Sequence, residues 1–108
     1  MHHGCMLKRV TVLQCGEGVD RGEALSRWLQ DHGALVRAVP GVVEYVQRPA
    51  TTDAEFSSTA TLLGIGEVSF ASRADAVAAT ATPEWQAVID DAATFASLPP
   101  LAVCWLEE

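Results

Sequence analysis

A chain of 108 residues with 49% hydrophobic and 19% charged side chains is the size of one folded domain, and such a chain buries roughly two thirds of the surface it exposes when unfolded. A formal charge of -7, with only seven Lys and Arg residues scattered along the chain, argues against nucleic acid or an anionic membrane as partner, because phosphate contacts need clustered cations. No window approaches the run of about 20 apolar residues that a membrane span requires, so a soluble protein with no membrane partner is expected.

Leu7 to Cys15, rich in β-branched and apolar residues with Val10 and Val12 alternating, reads as a first strand. Gly16, Gly18 and Asp20 break that pattern, and Asp20 with Glu23 forms a D-x-x-E variant of the capping box at the start of a helix. Leu25, Trp28, Leu29, His32, Leu35, Val36 and Val39 share one face of it, the spacing of a helix packed on a core. Pro40 and Gly41 stop it. Val42 to Gln47 reads as a second strand with Val43, Tyr45 and Gln47 on one side, ended by Pro49. Residues 50–61 are small and polar, a mobile connection whose one large apolar side chain, Phe56, either anchors the loop or folds over a cavity.

Leu62 to Ala71 is a third strand, interrupted by glycines that mark a close backbone approach or a bend. A short helix spans Arg73 to Thr80. Thr82 caps a further one with Pro83 in its first turn, from Glu84 to about Phe95. Pro99 and Pro100 end the helical region, and Leu101 to Leu106 is a fourth strand. The order β-α-β-β-α-β is the ferredoxin-like arrangement of an α+β protein, an antiparallel sheet with both helices on one face. Both faces of the fourth strand are apolar, Leu101, Val103 and Trp105 against Ala102, Cys104 and Leu106, while the helices cover only one. A second subunit is the natural cover for the other, so a homodimer is expected.

Cys5, Cys15 and Cys104 form no CxxC pair, and an odd number is a poor disulfide framework; reduced thiols in a cytoplasm are expected, with Cys104 in the core. The first residues, MHHGCM, lack the apolar core of a secretory signal. His2 and His3 lack the further donors a metal pair needs, so residues 1–6 are assigned to a flexible tail and 7–108 to a single domain. No spacing of His, Cys and carboxylates builds a metal site and no glycine-rich phosphate loop is present, so no cofactor is expected.

His32 is the one histidine outside the tail, and hence the one side chain whose ordinary pKa of about 6.5 suits proton transfer near neutral pH. On an apolar stripe it is either a hydrogen-bonded core residue or an acid/base facing a cavity. Trp28 stands one turn before it and either fills the core or borders the same cavity. Tyr45 is a packing residue or a hydroxyl donor. Glu67, a carboxylate on a strand, needs a partner if buried or a subunit edge to reach solvent. Asp91 is either an exposed helix residue or the group that orients His32.

Trp28-x-x-x-His32 followed by Leu35, Val36, the Pro40-Gly41 turn and Tyr45-Val46-Gln47, then Gly64-Ile65-Gly66-Glu67-Val68-Ser69-Phe70, then Thr82-Pro83-Glu84 leading to Asp91 and Phe95, together resemble the EthD family of the dimeric α+β-barrel superfamily over nearly the whole chain. Gly33 and Ala34 depart from the Ala-Pro that often follows the histidine in that family. The resemblance implies a dimeric α+β barrel with a cavity between helices and sheet in each subunit. It also implies lactone isomerisation, decarboxylation or cyclisation of polyketide-like aromatics, or cofactor-free oxygenation. The separation of His32 from Tyr45 is similar to that of a pocket histidine and tyrosine in methylmuconolactone isomerases, although no second pocket histidine is present. The expected function is therefore a cofactor-independent enzyme acting on an aromatic or lactone-like metabolite. His32 would serve as acid/base, Tyr45 as hydrogen-bond donor, Trp28 and Phe70 as apolar wall, with Glu67 and Asp91 as further binding residues. The alternatives are a non-catalytic dimer that binds a small hydrophobic ligand, and a haem-binding barrel in which the histidine ligates iron.

Overall fold

In the computed structural model, which describes residues 6–53, 55–56 and 61–107, the alternating stretch Leu7–Gln14 forms the first strand, β1. The Asp20 carboxylate accepts from the Glu23 backbone N–H at 3.0 Å and starts α1, Arg21–Arg27. This helix continues into a π-helical turn, Trp28–His32, and then into α2, Gly33–Arg37. Ala24, Trp28, His32 and Val36 are buried along its length, a strict four-residue repeat. In an α-helix of 3.6 residues per turn such a repeat drifts around the axis by about 40° per step. The wider i→i+5 turn takes up part of that drift and keeps the four side chains in line. Leu29 and Leu35, expected on the buried stripe, consequently stand 36% and 37% exposed.

The remaining elements are β2, Val42–Pro49; β3, Leu62–Phe70; α3, Arg73–Ala79; α4, Pro83–Ala92; and β4, Ala102–Glu107. Ser72 and Thr82 cap α3 and α4 by accepting from the backbone N–H groups of Asp75 and Trp85, each at 3.1 Å. Expected to reach Phe95, α4 closes instead at Ala92, where the Thr94 hydroxyl donates to the Asp91 carbonyl at 2.6 Å. The sheet has the order β2-β3-β1-β4 and is antiparallel throughout, so the chain is an α+β protein of the ferredoxin-like fold. No helix among the described residues is long and apolar enough to cross a membrane.

Register decides which side chains meet the helices. Arg9 pairs with Val68 and Trp105, and Val68 pairs with Tyr45, so Trp105, Arg9, Val68 and Tyr45 form one cross-strand row on the helical side. The next row is Val103, Thr11, Gly66 and Gln47. Val10 and Val12, whose alternation marks the strand, lie on the opposite, open face with Ile65, Val46, Cys104 and Leu106. Cys104 is therefore exposed, not in the core as expected, because within one chain nothing covers that side. The core divides into two clusters, one around Val36, Tyr45, Phe70 and Trp85, the other around Trp28, Leu63 and Phe95.

Gly64 joins the second cluster to the sheet. At φ +151°, a Cβ there would collide with the Arg48 carbonyl oxygen and stand 2.9 Å from Trp28 Cη2, so the indole packs directly on bare backbone. The expectation that strand glycines mark a close approach holds here. Phe56 is 72% exposed and covers no cavity. Parts of the connection at 50–61 and the tail residues 1–5, with His2, His3 and Cys5, lie outside the described residues.

Candidate functional site

Between the two core clusters lies a cavity of about 280 Å³, lined by members of both. The sheet contributes Arg9, Thr11 and Tyr45, the π turn contributes His32, α4 contributes Val88, Ile89 and Ala92, and the segment from Leu98 to Pro100 lines it from the connection to β4. Apolar side chains dominate the lining. Among the described residues no aspartate or glutamate borders it.

His32 is 4% exposed, and its Nδ1 lies 2.9 Å from Asp91 Oδ2. An ionised carboxylate only accepts, so Nδ1 carries the proton and donates it to Asp91, leaving the Nε2 lone pair free. Burial pulls the imidazole pKa below its ordinary value, and the hydrogen bond and charge of Asp91 offset part of that fall. The ring is thus neutral near pH 7, in the tautomer a general base requires. Phe95 packs edge-on against it, ring centroids 5.2 Å apart at 75°. Arg27 stands 6.0 Å from the Phe95 ring centre and donates to the Thr94 carbonyl and hydroxyl, bracing the turn that follows Asp91.

Tyr45 borders the same cavity. The Trp28 Nε1–H donates to Tyr45 Oη at 3.1 Å, and because an indole N–H can only donate, the phenol keeps its own proton for another acceptor. Burial raises the Tyr45 pKa, with Trp28, Gln47, Arg37 and Arg9 pulling the other way, so the hydroxyl is neutral near pH 7. Trp28 itself is wholly buried behind Tyr45, and its carbonyl in the π turn accepts from Gln47 Nε2 at 2.6 Å. Gly33 leaves room for that amide, since a Cβ there would stand 2.7 Å from Gln47 Oε1. Gly66 does the same for Tyr45, whose hydroxyl would lie 3.2 Å from an added Cβ.

The structure brings His32, Tyr45 and Asp91 together, with Trp28 as the support behind Tyr45. It does not bring Phe70 or Glu67 to the cavity. Phe70 is buried in the same cluster as Tyr45 and Trp85 but does not line the cavity, and it stacks on Trp105 with ring centroids 6.0 Å apart. Glu67 lies on the open face, paired with Lys8 at 3.2 Å and with Arg48, and the Arg48 hydrogen bond holds its carboxyl below the usual range. Sequence reasoning passes over Arg9 and Trp85. The Arg9 guanidinium stands 5.3 Å from the Trp85 ring centre, and burial lowers its pKa against the opposing field of Tyr45. Its signal is the strand alternation itself, which sets Arg9 on the side of Thr11 and Leu13. No group of three His, Cys, Asp or Glu residues among those described could hold a metal ion.

Comparison with solved structures places this geometry among known folds. An ethyl tert-butyl ether D (EthD) family protein from Bacillus halodurans superposes with a TM-score of 0.77 at 21% identity, covering 95% of this chain and 98% of that one. A dimeric ferredoxin-like protein of unknown function from Bacteroides fragilis gives 0.70 at 14% identity, covering 95% and 96%. SnoaB, a cofactor-independent oxygenase from Streptomyces nogalater, gives 0.68 at 11% identity, covering 95% and 92%. None of the curated proteins compared with the sequence matches it. The EthD domain model matches residues 16–99, from the loop before α1 to the segment that lines the cavity, and the chain belongs to the EthD family.

Proposed function

We propose that this protein is a cofactor-independent enzyme acting on a small aromatic or lactone-like metabolite, with His32 as the acid/base. The observation that carries the reading is the His32–Asp91 pair set against an apolar cavity. A buried histidine whose only role is packing has no need of an adjoining space. Substrate with an acidic C–H next to a carbonyl would give that proton to Nε2, the C–H electron pair moving toward the carbonyl oxygen to form an enolate. The Tyr45 hydroxyl would donate a hydrogen bond to the oxygen that gains charge, and Asp91 would stabilise the imidazolium. Return of the proton to a different atom completes an isomerisation; departure of a β leaving group with its bonding pair completes an elimination. The apolar walls raise the strength of each of these interactions by excluding water.

The assembly is proposed to be a homodimer joined across the open face of the sheet, where Ile65 and Leu106 are 36% and 46% exposed beside half-buried Val10 and Val12. The Bacteroides neighbour is described as dimeric, which supports a dimeric state.

The reading is tested by incubating the protein with a panel of muconolactones, anthrones and hydroxylated aromatic ketones and following each by mass spectrometry and by exchange of acidic C–H for deuterium in D2O. Protein-dependent conversion or exchange of at least one compound is expected. A compound that binds yet returns unchanged, with no deuterium gained, favours the non-catalytic binder.

A further inference from the structure

The cavity contains one feature that proton transfer at His32 and Tyr45 leaves unused. Arg9 points into it from the central strand β1, and among the described residues this guanidinium has no acidic partner. Lys8, its neighbour on the open face, pairs with Glu67. Arg9 is half-buried, and even partial withdrawal of a guanidinium from water without a counter-charge is costly. The Trp85 face at 5.3 Å recovers only part of the cost, since a cation–π contact contributes roughly 0.5–2 kcal/mol. Tyr45 lies in the same cross-strand row. Among the described residues Arg9 and His32 are the two ionisable bases of the lining, and burial keeps His32 neutral, so Arg9 is the one fixed positive charge that these residues supply. A guanidinium offers parallel N–H donors that match the two oxygens of a carboxylate.

We propose that the pocket selects a small carboxylate-bearing substrate, one or two rings in size, whose carboxylate pairs with Arg9 while its apolar body lies along Trp85 and Val88 toward His32. The size follows from the volume of about 280 Å³, just below the roughly 300–1,000 Å³ usual for ligand pockets. Arg9 then acts as a specificity and positioning residue. By anchoring the end of the molecule it fixes which carbon is presented to Nε2. The inference deepens the functional reading above and rests on it for the role of His32, but ligand charge preference can be measured without any turnover.

The test is calorimetric titration of the full-length protein with 2-naphthoate and with its neutral isostere 2-naphthamide at pH 7.5, repeated on Arg9→Gln and Arg9→Lys, each first checked for a native circular dichroism spectrum. Wild type is expected to favour the carboxylate by roughly tenfold or more, the size of a charge-assisted hydrogen bond over a neutral one. Arg9→Gln should bring the two ligands to about equal affinity, and Arg9→Lys should retain part of the preference because it keeps the charge and loses the fork. Equal binding of both compounds to wild type overturns the anion assignment alone and leaves the acid/base reading standing. Binding of neither at millimolar concentration overturns the pocket and the anion assignment together. A preference that survives unchanged in Arg9→Gln shows that the charge is recognised elsewhere and also overturns it. Should Arg9→Gln fail to fold, the chemical shift of the Arg9 Nε–H in wild type decides: a downfield move with naphthoate and none with naphthamide is expected, and no move with either contradicts the proposal.

Discussion

Asp91 reaches His32 across 59 residues of sequence and holds it by Nδ1 at 2.9 Å, so the last turn of α4 sets the tautomer of a ring carried by the π turn. Both contributions of Asp91 raise the His32 pKa against the larger effect of burial. Asp91→Asn should therefore lower that pKa further, as read from the pH dependence of the His32 Cε1–H resonance. It should also reduce kcat/KM by roughly 10–100-fold, since the asparagine amide can face the ring with either its oxygen or its nitrogen. An unchanged titration would separate Asp91 from the histidine in solution.

The same shift predicts a pH dependence of stability. The folded pKa of His32 lies below the unfolded value of about 6.5, so the unfolded chain takes up the proton first as pH falls. Stability should be fully present above about pH 6.5 and decline below it until the lowered folded pKa is passed. Urea denaturation of wild type and His32→Gln between pH 7.5 and 5.5 checks the sign: wild type should lose stability relative to the variant as pH falls, and a gain at low pH would mean that the folded protein prefers the imidazolium.

Gly64→Ala should be among the most damaging single methyl additions. Its Cβ would meet backbone at Arg48 and Pro49 as well as the Trp28 ring, and none of these is the free end of a flexible side chain. A loss of about 3 kcal/mol is expected from overpacking and backbone strain combined. In a domain of this size that corresponds to a fall in Tm of roughly 12 °C or more, measurable by calorimetry.

The open face gives a prediction about assembly. Ile65 pairs with Val12 near the middle of the sheet and carries no charge of its own, while Glu67 beside it is already neutralised by Lys8 and Arg48. Ile65→Asp would add a carboxylate to that surface, opposite an Arg48 that Glu67 already engages. Sedimentation velocity at micromolar concentration should find a dimer for wild type and a shift toward monomer for the variant. A wild-type monomer would contradict the assembly.

Much of the fold is legible in the sequence because its signals are local. Asp20 and Thr82 accept from the N–H three residues on at the helix starts where they are expected, and the strands follow the runs rich in β-branched residues. The four-residue repeat Ala24, Trp28, His32, Val36 is also present in the sequence, but the π turn that aligns it has no local mark, so Leu29 and Leu35 look buried until the turn is seen. His32, Tyr45 and Asp91 emerge as candidates because residue type narrows the choice. Arg9 does not, because its importance depends on which face of β1 meets the helices, and only the pairing with Val68 and Trp105 decides that. Glu67 misleads for the same reason: it is on the right strand and the wrong face.

The central claim is that His32 moves a proton in the cavity. The most direct measurement is the turnover of His32→Ala on whichever compound the panel identifies, with circular dichroism and dimer mass matched to wild type. A fall in kcat of roughly 10²–10⁴-fold is expected, the usual contribution of a positioned acid/base. Turnover within a few-fold of wild type in a folded variant would contradict the account and return His32 to the core.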